Sequence, residues 1–242
     1  MVSELTAHSI QGVLFDIDDT LVDLETAMGR TLHHIGAETL AHLTEADWAE
    51  YKSLYTRDPH GYYDQFLAGE LSFTEQRIHR ARHAQAEFLS EPLEGASAAR
   101  WNKAYEATLP LHFEPYEDVV PVLDELDRLG IPYGAVSNNV HDYQRAKLDK
   151  AGLHRVAALV GIDAVGVAKP NAAIYLEGAR LLGTDPANTL YVGDNPVVDA
   201  QGADAAGLIG IWLDRRSRQD EGFSGHRITS LTDVLRIVQE IR

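Results

Sequence analysis

Three carboxylates lie within four residues of one another, directly after a short apolar run near the start of the 242-residue chain. The run is Val13-Leu14-Phe15, and Asp16-Ile17-Asp18-Asp19-Thr20 follows it. Ionised carboxylates this close repel one another unless a cation lies between them. Mg²⁺ prefers hard oxygen ligands and commonly binds one or two carboxylates together with a phosphate. The segment therefore indicates a magnesium site, although an Asp-rich turn that caps the next element would have the same composition.

Polar residues also follow two later apolar runs. Ser137 and Asn138 come directly after residues 131–136, where a hydroxyl and main-chain amides could bind an anion. An ordinary turn has the same composition. Lys169 follows a third run, and a cation is needed near clustered carboxylates if a phosphoryl dianion is to approach them. Taken alone, a lysine in a loop indicates nothing.

A second group of carboxylates follows the apolar run at residues 189–192. Asp194 stands at the end of that run, and Asp199 comes five residues later. Asp199 could simply cap the next helix. That explanation does not suit Asp194, which precedes the helical pattern, so a role in cation binding is the simpler interpretation.

The elements that must position these residues alternate short apolar runs with longer amphipathic ones. This alternation predicts an α/β fold, a doubly wound (Rossmann-like) parallel five-stranded sheet. The predicted strands are residues 12–15, 131–136, 158–162, 189–192 and 208–213. Ligands of such sheets bind outside the carboxyl ends of the strands, and the polar residues above follow those ends. We therefore expect them to converge.

One stretch, residues 24–111, interrupts the alternation. It contains helical patterns and turn signals but no convincing buried strand, so it predicts a helical cap domain inserted after the first strand, with residues 1–23 and 112–242 as the catalytic core. Two basic groups are expected to be solvated. They are Arg77, His79, Arg80, Arg82 and His83 in the insert, and Arg215, Arg216 and Arg218 after the last strand.

Composition restricts the classes of partner. Acidic residues outnumber basic ones 37 to 21, and the formal charge of −16 argues against a nucleic acid polymer or an anionic membrane as partner. The absence of cysteine excludes thiol nucleophiles and disulfides. Neither a signal-peptide pattern nor an apolar run long enough to span a membrane is visible, so a cytoplasmic protein is expected.

The order of these motifs resembles the four motifs of the haloacid dehalogenase (HAD) superfamily. In this chain they are Asp16-x-Asp18-x-Thr20, Ser137, Lys169, and Gly193-Asp194 with Asp199. The helical insert after the first motif resembles the type 1 cap of that superfamily. The resemblance spans most of the predicted core and implies a phosphatase-type hydrolase.

The resemblance also implies roles for the acidic residues. Asp16 would be the nucleophile that forms an aspartyl-phosphate, and Asp18 would be the general acid and base. Magnesium would be held by the Asp16 carboxylate, the Asp18 main-chain carbonyl and the Asp194 carboxylate, with Asp199 close by.

Other motif residues would bind the phosphoryl group. Thr20 and Ser137, with amides around Asp18 and Asn138, would hold its oxygens or orient the acid/base, and Lys169 would offset charge. Asp19 replaces a glycine that is common in the family, and Asp tolerates the unusual backbone angles of a turn.

The resemblance leaves several activities open. A phosphatase of small phosphorylated metabolites is the main hypothesis, and a phosphomutase would share every motif. A 2-haloacid dehalogenase of the same superfamily needs no metal and no acid two residues after the nucleophile. A receiver-like phosphoryl-binding switch is the non-enzymatic alternative, although its motifs come in another order. The motifs identify neither the natural substrate nor whether the protein is a monomer or a homodimer.

Overall fold

The computed structural model describes residues 9–217 and 222–240. The chain divides into two compact units. The core unit comprises Met1–Asp23 and Glu114–Arg242, and the insert unit comprises Leu24–Phe113. No described helix combines the length and the apolar character that crossing a membrane requires.

The insert unit is helical throughout its regular structure. Its helices are α1 (Leu24–Gly36), α2 (Glu45–Arg57), α3 (Tyr62–Leu67), α4 (Phe73–Ala86) and α5 (Gly95–Thr108), followed by a 3₁₀ turn at Leu109–His112. Capping boxes begin α2 and α4. In α4 the Ser72 hydroxyl accepts a hydrogen bond from the Glu75 amide, and the Glu75 carboxylate accepts one from the Ser72 amide.

Two arginines of α4 are buried, and the expectation that they are solvated is wrong. Arg77 donates to Asn102 at 3.0 Å and to Glu106 at 2.8 Å. Arg80 donates twice to the main-chain carbonyl of Tyr55, at 2.9 and 2.8 Å. Both guanidinium groups thus have hydrogen-bond acceptors inside the helical unit, where an unpaired charge would be costly.

The core unit contains a sheet of six parallel strands in the order β3-β2-β1-β4-β5-β6. The strands are β1 (Gly12–Phe15), β2 (Tyr133–Val136), β3 (Ala158–Val160), β4 (Thr189–Gly193), β5 (Ile209–Leu213) and β6 (His226–Ile228). The α/β parallel architecture is confirmed, but the predicted count of five strands is wrong. The sixth strand has only three residues, of which His226 and Arg227 are exposed, so it carries no apolar run that would reveal it.

Helices connect and flank these strands. They are α6 (Val119–Leu129), α7 (His141–Lys150), α8 (Ile162–Val165), α9 (Ala172–Leu182), α10 (Gly202–Ala205) and α11 (Thr232–Glu240), with a 3₁₀ turn at Pro186–Asn188 and a π-helical turn at Pro196–Gln201. Helix α9 packs closely on the sheet, because a Cβ at Gly178 would lie 2.7 Å from Leu14 and 2.8 Å from Val136. Only glycine permits this approach, and the buried cluster there includes Tyr175 and Tyr191.

A partly buried ion pair connects the loop that follows β5 to Asp118, the residue before α6. Arg215 donates to both carboxylate oxygens of Asp118 at 2.9 Å and to the main-chain carbonyl of Thr20 at 2.9 Å. Asp118 also accepts from the Ser230 hydroxyl and the Leu231 amide, each at 2.9 Å. Arg215 is therefore not solvated as expected, whereas Arg216 is exposed and Arg218 lies outside the described residues.

Asp118→Asn should destabilise the core unit in a pH-dependent way. Partial burial alone would raise the pKa of Asp118, but the bonds from Arg215, Leu231 and Ser230 hold it below its ordinary value. A lowered pKa contributes stability above the unfolded-state pKa and loses it as the pH falls through the folded-state pKa. We expect the variant to lose about 2–3 kcal/mol at neutral pH in urea unfolding, and clearly less at about pH 3.5.

The exposed neighbour provides a matched control for this prediction. Glu117→Gln removes a negative charge one residue away and should change the unfolding free energy by less than about 0.5 kcal/mol. An Asp118→Asn loss of equal size at both pH values would contradict the ion-pair explanation.

Candidate active site

Parallel pairing brings the carboxyl ends of β1, β2 and β4 to one edge of the sheet. Phe15 at the end of β1 is in register with Ala135 of β2 and Val192 of β4. The next residue, Asp16, donates its amide hydrogen to the Val192 carbonyl at 2.9 Å. The residues that follow the three strands therefore meet at one place, as the motif order requires.

Three carboxylates gather at this edge. One oxygen each of Asp16, Asp194 and Asp199 lies within 4.8 Å of the other two. Asp16 and Asp199 are buried, and Asp194 is partly exposed. A Mg²⁺ ion with ligands at 2.0–2.1 Å spans oxygens up to about 4.2 Å apart, so a small inward movement would let the set share one ion. These all-oxygen donors fit a hard divalent cation.

The buried ammonium group of Lys169 lies between two of these carboxylates. Its Nζ is 2.6 Å from Oδ1 of Asp16 and 2.7 Å from Oδ1 of Asp199, and it donates to the Tyr191 hydroxyl at 3.0 Å. All three of its hydrogens therefore have acceptors. Burial alone would lower the pKa of Lys169, but the two carboxylates raise it well above its ordinary value. The lysine is a fixed positive charge at the site.

Asp16 is shielded from water and surrounded by charge. Burial raises its pKa to about 7, Lys169 opposes the rise, and the carboxylates of Asp199 and Asp18 add to it. A carboxylate binds a cation in its ionised form. A further positive charge beside Asp16 would therefore favour that form.

Asn138 positions the chain around Lys169 through its side chain. The Asn138 amide nitrogen donates to the Lys169 carbonyl at 3.0 Å, and its oxygen accepts from the Lys169 main-chain amide at 2.6 Å. This pair of bonds fixes the loop before α9 against the end of β2. The sequence suggested that Asn138 binds phosphate. The structure shows a further role for its side chain, which holds the main chain of Lys169.

Two hydroxyl residues of the motifs are buried. Ser137 is 2% exposed, and its oxygen accepts from the Gln144 amide at 2.5 Å. The Thr20 hydroxyl is enclosed, and it has no hydrogen-bond partner among the described residues. Thr20 lies in a tight loop in which the amide of Asp19 bonds to the carbonyl of Val22.

Asp19 shows the backbone conformation that the sequence indicated. Its φ of 57° lies in the left-handed region, which glycine adopts readily and Asp tolerates better than most residues. Its carboxylate accepts a long hydrogen bond of 3.5 Å from the Tyr116 hydroxyl. Asp19 thus shapes the turn that follows Asp16.

Four residues near the site were missed by sequence reasoning. Gln144 and Lys147 of α7 bind the Asp18 carboxylate. Tyr191 receives a hydrogen bond from Lys169, and the Trp212 indole donates to the Asp194 main-chain carbonyl at 3.0 Å. The one available signal was the three-residue spacing of Gln144 and Lys147, which places them on one helix face.

Family comparison agrees with this geometry. The model of the haloacid dehalogenase-like hydrolases matches residues 10–207. The chain belongs to this family. The expected HAD resemblance is therefore confirmed, and the chain is a hydrolase of this superfamily.

Relatives within the family have more than one activity. Glyceraldehyde 3-phosphate phosphatase of Methanopyrus kandleri is 34% identical over 57% of this chain and 62% of that protein, so the match spans under two thirds of its length. Phosphoglycolate phosphatase of Xylella fastidiosa is 30% identical, covering 86% of this chain and 82% of that protein. An (S)-2-haloacid dehalogenase of Pseudomonas fluorescens is 25% identical, covering 86% of each.

A solved structure shows the same fold over nearly the whole chain. The magnesium-bound HAD-hydrolase from Bacillus subtilis superposes with a TM-score of 0.77 at 22% identity. The superposition covers 95% of this chain and 99% of that one. The HAD fold is thus shared despite low sequence identity.

Proposed function

We propose that this HAD hydrolase is a magnesium-dependent phosphatase that cleaves small phosphate monoesters through an aspartyl-phosphate on Asp16. One observation carries the proposal. The carboxylate oxygens of Asp16, Asp194 and Asp199 lie within 4.8 Å of one another, and the buried ammonium group of Lys169 bonds to Asp16. A cation site beside a nucleophile is the arrangement that phosphoryl transfer needs.

The reaction would proceed in two balanced steps. A carboxylate oxygen of Asp16 attacks phosphorus, the ester P–O bond breaks, and the departing alkoxide takes a proton from Asp18. Asp18, now ionised, removes a proton from a water molecule, which attacks the phosphorus of the aspartyl-phosphate. Inorganic phosphate leaves, and both carboxyl groups return to their starting states.

Charge compensation at the site would come from two sources. Lys169 neutralises part of the negative charge around Asp16, so the anionic substrate meets less repulsion. A bound Mg²⁺ would add electrostatic stabilisation of the phosphoryl oxygens. Its ligands would be the carboxylates of Asp16 and Asp194 and the main-chain carbonyl of Asp18, with Asp199 close by.

Phosphoryl oxygens would meet hydroxyl and amide donors at the ends of β1 and β2. Ser137 and Thr20 supply hydroxyl groups, and main-chain amides lie around Asp18 and Asn138. The expected substrate is a small phosphorylated metabolite, since phosphatase relatives are named for such compounds. We further propose a cytoplasmic monomer or homodimer without a nucleic acid or membrane partner.

Dehalogenation is the alternative that the relatives raise, because 2-haloacid dehalogenases align over most of the chain. Two residues favour the phosphatase. Asp18 supplies an acid two residues after Asp16, and Asp194 adds a carboxylate to the cation cluster. Neither is needed for a metal-free displacement of halide by a carboxylate.

Release of inorganic phosphate from a panel of phosphate monoesters tests the proposal. With Mg²⁺ we expect turnover of several small alkyl phosphates. Chelation with EDTA should lower the rate by at least about 100-fold, and added Mg²⁺ should restore it.

Two other outcomes would replace the phosphatase. Metal-independent halide release from 2-chloropropionate would indicate a dehalogenase. Isomerisation of a sugar phosphate without free phosphate would indicate a mutase.

A further inference from the structure

The carboxylate of Asp18 is held by two side chains of helix α7. Gln144 donates from its amide nitrogen to Oδ2 of Asp18 at 3.0 Å. The Lys147 ammonium group forms an ion pair with Oδ1 of the same carboxylate. Both oxygens of Asp18 therefore have a partner, which restricts rotation of the carboxylate group.

Both partners are buried, whereas Asp18 is not. Gln144 is fully buried, Lys147 is 2% exposed, and the Asp18 side chain is 27% exposed. A buried lysine is rare unless it is paired, because its charge loses hydration. The Tyr143 ring lies 5.2 Å from the Lys147 ammonium group and gives it a further favourable contact. Lys147 is thus buried where it pairs with Asp18, while the Asp18 side chain remains partly accessible to solvent.

Gln144 also connects Asp18 to Ser137. Its amide nitrogen lies 2.5 Å from the Ser137 hydroxyl oxygen, so its two hydrogens reach the carboxylate and the hydroxyl. Because Ser137 accepts this bond, its own hydrogen remains available to an acceptor such as a phosphoryl oxygen. One amide thus orients both groups.

We propose that Lys147 and Gln144 are positioning residues that fix Asp18 for proton transfer with the leaving oxygen. This inference rests on the proposed phosphatase function and deepens it. Each carboxylate oxygen has two lone pairs, so the bonds to α7 leave room for the transferred proton. The two side chains act through Asp18 and need no contact with the substrate.

The dependence of rate on the leaving group separates this role from a purely structural one. An alkyl phosphate needs a proton on its departing oxygen, whereas 2,4-dinitrophenyl phosphate has a leaving group stable as an anion. The measurement is the single-turnover rate of phosphoenzyme formation from each ester, with Mg²⁺ present. For Lys147→Met we expect a loss of roughly 10–100-fold with the alkyl ester and less than about threefold with the dinitrophenyl ester.

Two further variants complete the experiment. Lys150→Met removes an exposed lysine from the same helix and should leave both rates within about twofold of the unaltered enzyme. Gln144→Leu leaves the Lys147 ion pair in place but also removes the bond to Ser137, so the rates with both esters should fall. The loss with the alkyl ester should exceed the loss with the dinitrophenyl ester by at least about threefold. This variant therefore provides an independent measurement if Lys147→Met is poorly folded.

Equal losses with the two esters in folded variants would overturn the inference, because they would indicate a structural role. Faster alkyl phosphate turnover in Lys147→Met would also overturn it, because the ion pair would then hold Asp18 in an unreactive orientation. Phosphate release by the unaltered enzyme is measured separately. Its absence would reject the proposed function itself, so the two failures remain distinguishable.

Discussion

Asp16→Asn should lower phosphate release by at least about 10,000-fold while the fold stays intact. The asparagine amide has no anionic oxygen, so it cannot attack phosphorus to form an acyl phosphate. Lys169 keeps its bonds to Asp199 and Tyr191, so its charge remains paired. Steady-state release of inorganic phosphate with Mg²⁺ measures the effect.

The matched control is Asp142→Asn, which changes an exposed aspartate of the core unit. It should retain activity within about twofold. Circular dichroism should show unchanged secondary structure in both variants. Substantial phosphate release by folded Asp16→Asn would remove the nucleophile assignment.

Lys169→Met is expected to affect both stability and catalysis. The variant leaves the buried carboxylates of Asp16 and Asp199 facing each other without the ammonium group that lies between them. Breaking such a buried pair costs about 3–5 kcal/mol, so the unfolding free energy in EDTA should fall by that amount. Activity should fall by about 100- to 1,000-fold, because charge stabilisation of the phosphoryl group is lost.

Magnesium provides the internal control for Lys169→Met. A divalent cation bound by the Asp16 and Asp194 carboxylates would compensate part of the missing charge. Mg²⁺ should therefore raise the unfolding free energy of the variant more than that of the unaltered enzyme. If Mg²⁺ stabilised the two proteins equally, the bound cation would not be compensating the charge lost with Lys169.

The sequence predicted the elements that position the chemistry, because their signals are local. Apolar runs marked five of the six strands, and the acidic and hydroxyl residues after them lie at one sheet edge. Asp19 was expected in an unusual backbone conformation, and its φ is 57°. The strand His226–Ile228 was missed because two of its three residues are exposed, so it carries no apolar run.

Burial of polar side chains was less predictable, since it depends on partners distant in sequence. Arg80 looks like a surface residue of α4, yet its guanidinium group bonds to the carbonyl of Tyr55. Arg215 bonds to Asp118, which lies 97 residues away in the sequence. Lys147 pairs with Asp18 across 129 residues. A pattern within one helix carries no information on such pairs.

Diffraction from crystals soaked with Mn²⁺ would show whether Asp16 and Asp194 share a divalent cation, because the anomalous signal locates the ion without ambiguity. We expect one strong peak at coordination distance from carboxylate oxygens of both Asp16 and Asp194, close to the Asp18 main-chain carbonyl. Full metal occupancy elsewhere, with Asp16 and Asp194 too far apart to share an ion, would contradict this expectation.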